Sequence, residues 1–182
     1  MEPGHGFRKL VWKKARARVI GKAMPLEVVR QRVRRAAALG LSYPDYAAIV
    51  FGSGRDIAAF LFTTESMGLR LLKRLEMSDP VQQRLSDLPG CTRLAIAPAG
   101  EPVEPFRLEL EDVSRLSFPG AGPTPGAGWK AAETAMRRAL QSTRLPADSV
   151  VLVGTEAKEA SWAEAGRLAK YLAHDRFFHA PG

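Results

Sequence analysis

Three short runs of consecutive apolar residues predict buried strands: residues 57–62 (IAAFLF), 94–97 (LAIA) and 150–153 (VVLV). Strands that are apolar on both faces are typical of a parallel sheet covered by helices on each side. Between and after these runs, apolar residues recur every three or four positions. This spacing predicts helices after residue 64, over 79–88, over 129–140 and over about 156–172. Residues 106–110 alternate strictly between apolar and polar, which predicts a half-exposed strand at a sheet edge.

Two further helices are predicted before the first apolar run, forming a helical hairpin over residues 25–54. Pro25 suits the first turn of the first helix, and Gly40 ends it. Ser42 caps the second helix, which ends near residues 52–54. The alternation of strands and helices then predicts an α/β fold. We expect a small three-layer domain with a mainly parallel sheet of three or more strands, preceded by the hairpin and a basic N-terminal arm.

A chain of 182 residues suits one compact domain. We expect residues 25–182 to form a single α/β domain, and residues 1–24 to form an extended arm or an edge strand. Residues 118–128 consist largely of Pro and Gly, so they predict a loop. This Pro/Gly loop is either a lid over a site or a surface connector.

Charge is distributed very unevenly along the chain. Residues 1–40 carry eleven Lys and Arg against two acids, a net charge of +9, whereas the whole chain has a net charge of +8. The chain has one cysteine, Cys91, and no apolar run long enough to span a bilayer. These features, with a composition rich in Ala and Arg, favour a reducing compartment, and we expect a bacterial cytoplasmic protein.

The basic segment suggests the leading functional hypothesis, an accessory binding protein without enzymatic activity. Such a segment attracts nucleic acid or an acidic protein through electrostatic contacts that do not depend on base sequence. A solvated charged surface is the competing interpretation. The predicted contact residues are Trp12, Lys13, Lys14, Arg16, Arg18, Arg30, Arg34 and Arg35.

The predicted sheet suggests a second hypothesis, an α/β enzyme or small-ligand-binding protein. Ligands of open α/β sheets bind outside the carboxyl ends of the strands. Hydroxyl and carboxyl side chains follow two of the predicted strands, and helix capping is the competing role for the hydroxyls. The candidate ligand-site residues are Thr63, Thr64, Glu65, Ser66, Thr155 and Glu156.

A third hypothesis is a protein–protein adaptor that docks through the helical hairpin, with Tyr43 and Tyr46 as anchors. The sequence contains no complete catalytic or nucleotide-binding motif and no metal-ligand spacing. We therefore predict no cofactor and no metal, and the sequence does not identify a catalytic residue.

Overall fold

The computed structural model describes residues 24–71, 75–97, 99–100, 107–108, 111 and 115–178. The main elements, in chain order, are α1 (Leu26–Ala38), α2 (Tyr43–Ser53), β1 (Ala59–Thr63), a 3-10 turn (Glu65–Met67), β2 (Arg70–Leu71), β3 (Leu75–Glu76), α3 (Asp79–Ser86), β4 (Thr92–Ile96), α4 (Trp129–Gln141), a second 3-10 turn (Ala147–Ser149), β5 (Val150–Gly154), α5 (Glu159–Ala165), β6 (Lys170–Ala173) and α6 (His174–Phe178).

Contacts divide the chain into two compact units, Met1–Arg34 and Arg35–Gly182, with the boundary inside α1. The described part of the first unit is residues 24–34, which contain most of α1. The second unit contains the sheet and all the remaining elements. The proposed extent of the domain, residues 25–182, stays a prediction.

The main sheet has four parallel strands in the order β4-β1-β5-β6. Ala59 at the start of β1 aligns with Thr92 of β4 on one side and with Val150 of β5 on the other. All three apolar runs therefore form neighbouring strands, which confirms the predicted α/β fold. A separate antiparallel pair joins β2 to β3.

Alternating side chains of the buried strands point into two separate apolar clusters, one on each face of the sheet. This alternation follows from the two-residue period of a strand. The first cluster includes Phe60, Phe62, Val151 and Val153, packed with residues of α2, α3 and α6 such as Ile49, Leu85 and Phe177. The second includes Ala59, Leu61, Val150 and Leu152, packed with residues of α4 and α5 such as Met136 and Trp162. Helices on both faces give the predicted three layers.

The helical hairpin forms as predicted. Ser42 caps α2 through its side chain, which accepts a hydrogen bond from the Asp45 backbone N–H, and Gly54 ends the helix in a left-handed conformation. Arg84 of α3 lies against the turn between the helices and donates to the carbonyls of Leu39 and Gly40 at 2.8 and 3.1 Å. Gly40 has a φ of 60°, a left-handed conformation that favours glycine, and a Cβ there would also displace the Arg84 guanidinium.

The helix predicted over about 156–172 is wrong in its second half. Helix α5 ends at Ala165, and residues 170–173 form β6, a fourth parallel strand. The break occurs where Gly166 caps the helix and Arg167 adopts a left-handed backbone with φ of 55°. Helical periodicity continued across this break, so periodicity alone could not locate it.

Two other predicted elements are also wrong. The helix predicted after residue 64 is only a 3-10 turn, because Gly68 takes a left-handed conformation with φ of 64° and ends it. The strand predicted over 106–110 is contradicted by Arg107 and Leu108, which are helical. Arg107 lies 3.7 Å from Glu111, an i,i+4 pair that suits a helix and has no counterpart in a single strand. Among the described residues, no helix combines the length and apolar character needed to cross a membrane.

Candidate ligand-binding site at the carboxyl edge of the sheet

The order of the strands creates a crevice between the carboxyl ends of β1 and β5. The chain moves from β1 to β4 on one side, and later returns to β5 on the other side of β1. Connections therefore leave Thr63 and Gly154 in opposite directions, and such a topological switch point is where open α/β sheets bind ligands. The sequence predicted this edge, and the strand order now selects one position along it.

Three of the predicted site hydroxyls are buried at the end of β1. The Thr63 hydroxyl accepts a hydrogen bond from the Ser66 backbone N–H at 3.2 Å, and the Ser66 hydroxyl donates to the Thr63 carbonyl at 2.8 Å. The backbone N–H of Thr64 donates to the Ile96 carbonyl at 2.9 Å, which joins this turn to β4. Thr63 and Ser66 thus hold the turn, and the Thr64 side chain makes no capping bond to it.

The candidate residues after β5 have a different setting. Thr155 and Glu156 are exposed, and Thr155 does not cap α5 because the residue at the cap position is Lys158. The Glu156 carboxylate forms an ion pair with Lys158. Of the six predicted site residues, only Thr63 and Glu65 line the crevice.

The central side chain of the crevice is Glu159, which was not among the predicted site residues. It is the first residue of α5 and only 1% exposed. Its Oε2 atom accepts a hydrogen bond from the Glu156 backbone N–H at 2.8 Å, whereas its buried Oε1 atom has no hydrogen-bond partner among the described residues. A signal was present in the sequence, because Glu159 precedes Trp162 by three positions and therefore shares its buried helix face.

Gly154 makes room for this carboxyl group. A Cβ at Gly154 would overlap Oε2 of Glu159 and lie 2.8 Å from its Cδ atom and 3.0 Å from Tyr171. Glycine at the end of β5 therefore lets the carboxyl group lie directly against the strand backbone.

Glu159 lies at a narrow cleft between the carboxyl ends of the strands and the Pro/Gly loop. The described residues that line this cleft leave no room in it for a water molecule. Gly122, in the Pro/Gly loop, closes one side: it is buried, and its N–H donates to the Ala97 carbonyl at 2.8 Å. The loop therefore contributes to the wall of the cleft. The lining residues are Thr63, Glu65, Ile96, Ala97, Gly122, Glu159 and Trp162.

Burial raises the pKa of the Glu159 carboxyl, and the charge of Glu65 acts in the same direction. The backbone N–H groups of Glu156 and Thr155 and the nearby Thr63 hydroxyl oppose this rise. Tyr171 has its pKa raised to about 12, first by burial and then by the surrounding carboxylates. Its hydroxyl donates to the Glu156 carbonyl at 3.0 Å. The carboxylates of the described residues therefore make the electrostatic potential around the cleft negative.

No family model, curated protein or solved structure matches this chain. Within the described ranges, no group of three or more His, Cys, Asp and Glu side chains could hold a metal ion. The chemistry of the cleft is therefore the basis for the proposed function.

The predicted polyanion contacts are only partly covered by the structure. Trp12, Lys13, Lys14, Arg16 and Arg18 lie outside the described residues. Arg30 forms an exposed ion pair with Glu27 at 2.8 Å, and Arg34 is exposed.

Arg35, the remaining predicted contact residue, bonds to the body of the protein instead. Its guanidinium lies 3.3 Å from Asp56 and donates to the carbonyls of Ile57, Pro89 and Gly90 at 2.9 to 3.1 Å. These contacts join α1 to the loops that precede β1 and β4, so Arg35 has a structural role that competes with phosphate binding.

Packing also accounts for Tyr46, the predicted adaptor anchor, and for Cys91, the one cysteine of the sequence. Tyr46 is buried and donates its hydroxyl to Asp56 at 2.9 Å, so it is not exposed as an adaptor anchor would be. Burial raises the pKa of the Cys91 thiol to about 11, which keeps it protonated at neutral pH and makes it a poor nucleophile.

Proposed function

We propose that this protein binds a small ligand in the cleft between the carboxyl ends of β1 and β5, with Glu159 as the main binding group. The observation that carries the proposal is the buried Oε1 atom of Glu159, which receives no hydrogen bond of normal geometry from the described residues, although the Thr155 N–H and the Thr63 hydroxyl lie close enough to lower the pKa of the carboxyl. A buried polar atom without a hydrogen bond costs about 1–3 kcal/mol, so natural proteins seldom retain one without a role.

A structural role for Glu159 accounts for only half of its carboxyl group. Oε2 holds the turn before α5 through the Glu156 N–H. A glutamine could supply the same acceptor without burying a charge, so this bond alone does not explain a carboxylate. A ligand that donates a hydrogen bond to Oε1 would complete the site.

The narrowness of the cleft implies that a ligand enters only when one wall moves. Gly122 belongs to a loop of Pro and Gly outside any helix or strand, whereas the opposite wall consists of strand ends and α5. Loops over rigid scaffolds commonly gate binding sites. We therefore favour the lid role for residues 118–128, with the bond from Gly122 N–H to Ala97 as its closed contact.

Thermal unfolding in the presence of a ligand panel tests this proposal. The panel contains amines, amino acids, nucleosides, nucleotides, sugar phosphates and organic acids. A ligand at 100 times its Kd stabilises the folded state by about 2.7 kcal/mol, which raises the Tm of a chain of this size by about 5–10 °C.

Two variants make the test specific to the cleft. Glu159→Gln should abolish the Tm shift, whereas Glu164→Gln, an exposed residue of the same helix, should retain it. If no compound raises the Tm, or if the shift persists in Glu159→Gln, the proposed function is wrong.

The uneven charge of the chain supports a second proposal, an electrostatic contact between the basic segment and nucleic acid or an acidic protein. Residues 1–40 carry a net charge of +9, and the cations at positions 13–18 are the most concentrated. Arg35 contributes least, because its guanidinium is held by Asp56 and by backbone carbonyls. This contact would be compatible with a ligand site on the sheet, since it uses different residues.

A further inference from the structure

We propose that the ligand of the Glu159 cleft is an organic cation whose primary ammonium or amidinium group donates a hydrogen bond to Oε1 of Glu159. The inference rests on the proposed function and narrows it to one class of ligand.

The charged groups around the cleft are mainly acidic. Glu65 lines the cleft together with Glu159, and Glu156 lies at the turn that leads into α5. The charges of Glu156, Glu159 and Asp175 all act on Tyr171. Lys158 is the nearby cation, and its ammonium group is paired with Glu156.

This balance disfavours anions and favours cations. A phosphate or carboxylate entering the cleft would meet Glu65 and Glu159, and Lys158, the cation that the described residues place nearby, is already paired with Glu156. An ammonium group would instead find an acceptor at Oε1 and a favourable field, with desolvation offset by a charge-assisted hydrogen bond.

The remaining walls suit the body of an organic cation. Ile96, Ala97 and Trp162 also line the cleft, and they are all buried. Apolar walls with one or two polar groups are typical of small-molecule sites. Among aromatic side chains, the indole of tryptophan forms the most favourable contacts with cations.

Binding of a cation should be linked to loss of a proton. Because burial and Glu65 raise the pKa of Glu159, protonation of this carboxyl competes with cation binding more strongly than it would for an exposed glutamate. A cation selects the carboxylate, so the O–H bond of the neutral form breaks and its proton passes to solvent. Glu65, Glu156, Lys158 and Tyr171 also face this region, and the raised pKa values of Lys158 and Tyr171 keep both groups protonated between pH 5 and 7.

Three probes of nearly equal size test the charge requirement: propylammonium, propan-1-ol and propanoate, each at constant ionic strength. Binding is followed by NMR through the backbone amides of Thr63, Gly122, Gly154 and Glu159. We expect propylammonium to shift these amides saturably, with a Kd at least tenfold lower than that of propan-1-ol, and propanoate to leave them unchanged. The Kd for propylammonium should fall as the pH rises from 5 to 7.

Variants connect the binding to the proposed residues. Glu159→Gln should weaken propylammonium binding at least tenfold, and the exposed Glu65→Gln about threefold, whereas Glu164→Gln should change it less than twofold. The Glu65 variant keeps the test decisive if Glu159→Gln does not fold, since replacing an exposed residue preserves the core.

The outcomes separate this inference from the proposed function. If propan-1-ol or propanoate binds the same amides as tightly and depends on Glu159, the cleft is a ligand site but the cation inference is wrong. If none of the three probes binds, the cation inference is also wrong, and the wider panel still decides the proposed function. Binding of propylammonium that is unchanged in Glu159→Gln and Glu65→Gln would overturn both.

Discussion

Replacing Gly154 by alanine tests whether the end of β5 is shaped by the Glu159 carboxyl group. A Cβ at this position would overlap Oε2 and lie 2.8 Å from Cδ, so the carboxyl must move. Moving the Glu159 carboxyl breaks its hydrogen bond from the Glu156 N–H, and such a bond to an ionised acceptor contributes about 1.5–3 kcal/mol. The methyl group also crowds Tyr171 at 3.0 Å. Since moving the carboxyl relieves most of the overlap, we expect Gly154→Ala to cost about 2–3 kcal/mol.

A double-mutant cycle isolates the carboxyl group as the cause. In a Glu159→Ala background the overlapping atoms are absent, and Gly154→Ala should cost less than about 1 kcal/mol. Urea unfolding of the unsubstituted protein, the two single variants and the double variant gives the four free energies of unfolding. Equal m-values would show that all four proteins expose the same surface on unfolding. Gly52→Ala is the control, because nothing lies within 4 Å of a Cβ there and alanine in α2 should stabilise by about 0.5–1 kcal/mol. Equal costs of Gly154→Ala in both backgrounds would refute the reasoning.

Three other predictions concern pH, the helical hairpin and the basic segment. The pKa of Glu159 is raised in the folded state, so its contribution to stability is complete below about pH 4.3 and is lost as the pH rises through the folded pKa. Urea unfolding between pH 4 and 7 should therefore show that Glu159→Gln gains stability relative to the unsubstituted protein as the pH rises. A difference in the free energy of unfolding that stays constant with pH would contradict this. Arg84→Met should lower the free energy of unfolding by about 3–4 kcal/mol, since it removes two charge-assisted bonds to carbonyls and a contact 4.5 Å from the Phe177 ring centroid, and a loss below about 1 kcal/mol in chemical denaturation would contradict that role. If about five cations of residues 12–34 bind duplex phosphates, fluorescence anisotropy should give a slope of log affinity against log salt near −4 to −5, and a slope near zero would exclude the contact.

The fold could be predicted where several local signals agree. The strands around Phe62, Ile96 and Val153 were recognisable because each was a continuous apolar run, and α2 because Ser42 and Gly54 mark both of its ends. Each of these signals depends on residues close together in the chain, so no tertiary contact was needed to interpret them.

The errors occurred where a backbone conformation overrode the apolar pattern. Leu172 and Ala169 continue the helical spacing of Trp162, yet the left-handed conformation of Arg167 turns the chain into β6. Arginine is an unusual residue at a left-handed position, which glycine normally occupies, so the sequence carried no stop signal there except Gly166.

The edge that holds the candidate site could be predicted, but its central residue was not identified, although the spacing of Glu159 from Trp162 places both on one helix face. An edge of a parallel sheet follows from the order of strands and helices, which is why the candidates for this edge include Thr63 and Glu65, two residues that line the cleft. The burial of the Glu159 carboxyl depends instead on two glycines outside its helix. Gly154 places no side chain beneath the carboxyl, and Gly122 closes the cleft from the Pro/Gly loop. A glutamate at the start of a helix normally faces solvent and interacts with the helix dipole. Glu159 is therefore distinguished by the space that Gly154 and Gly122 leave around its carboxyl group. The proposed function requires that a ligand place a hydrogen-bond donor in that space.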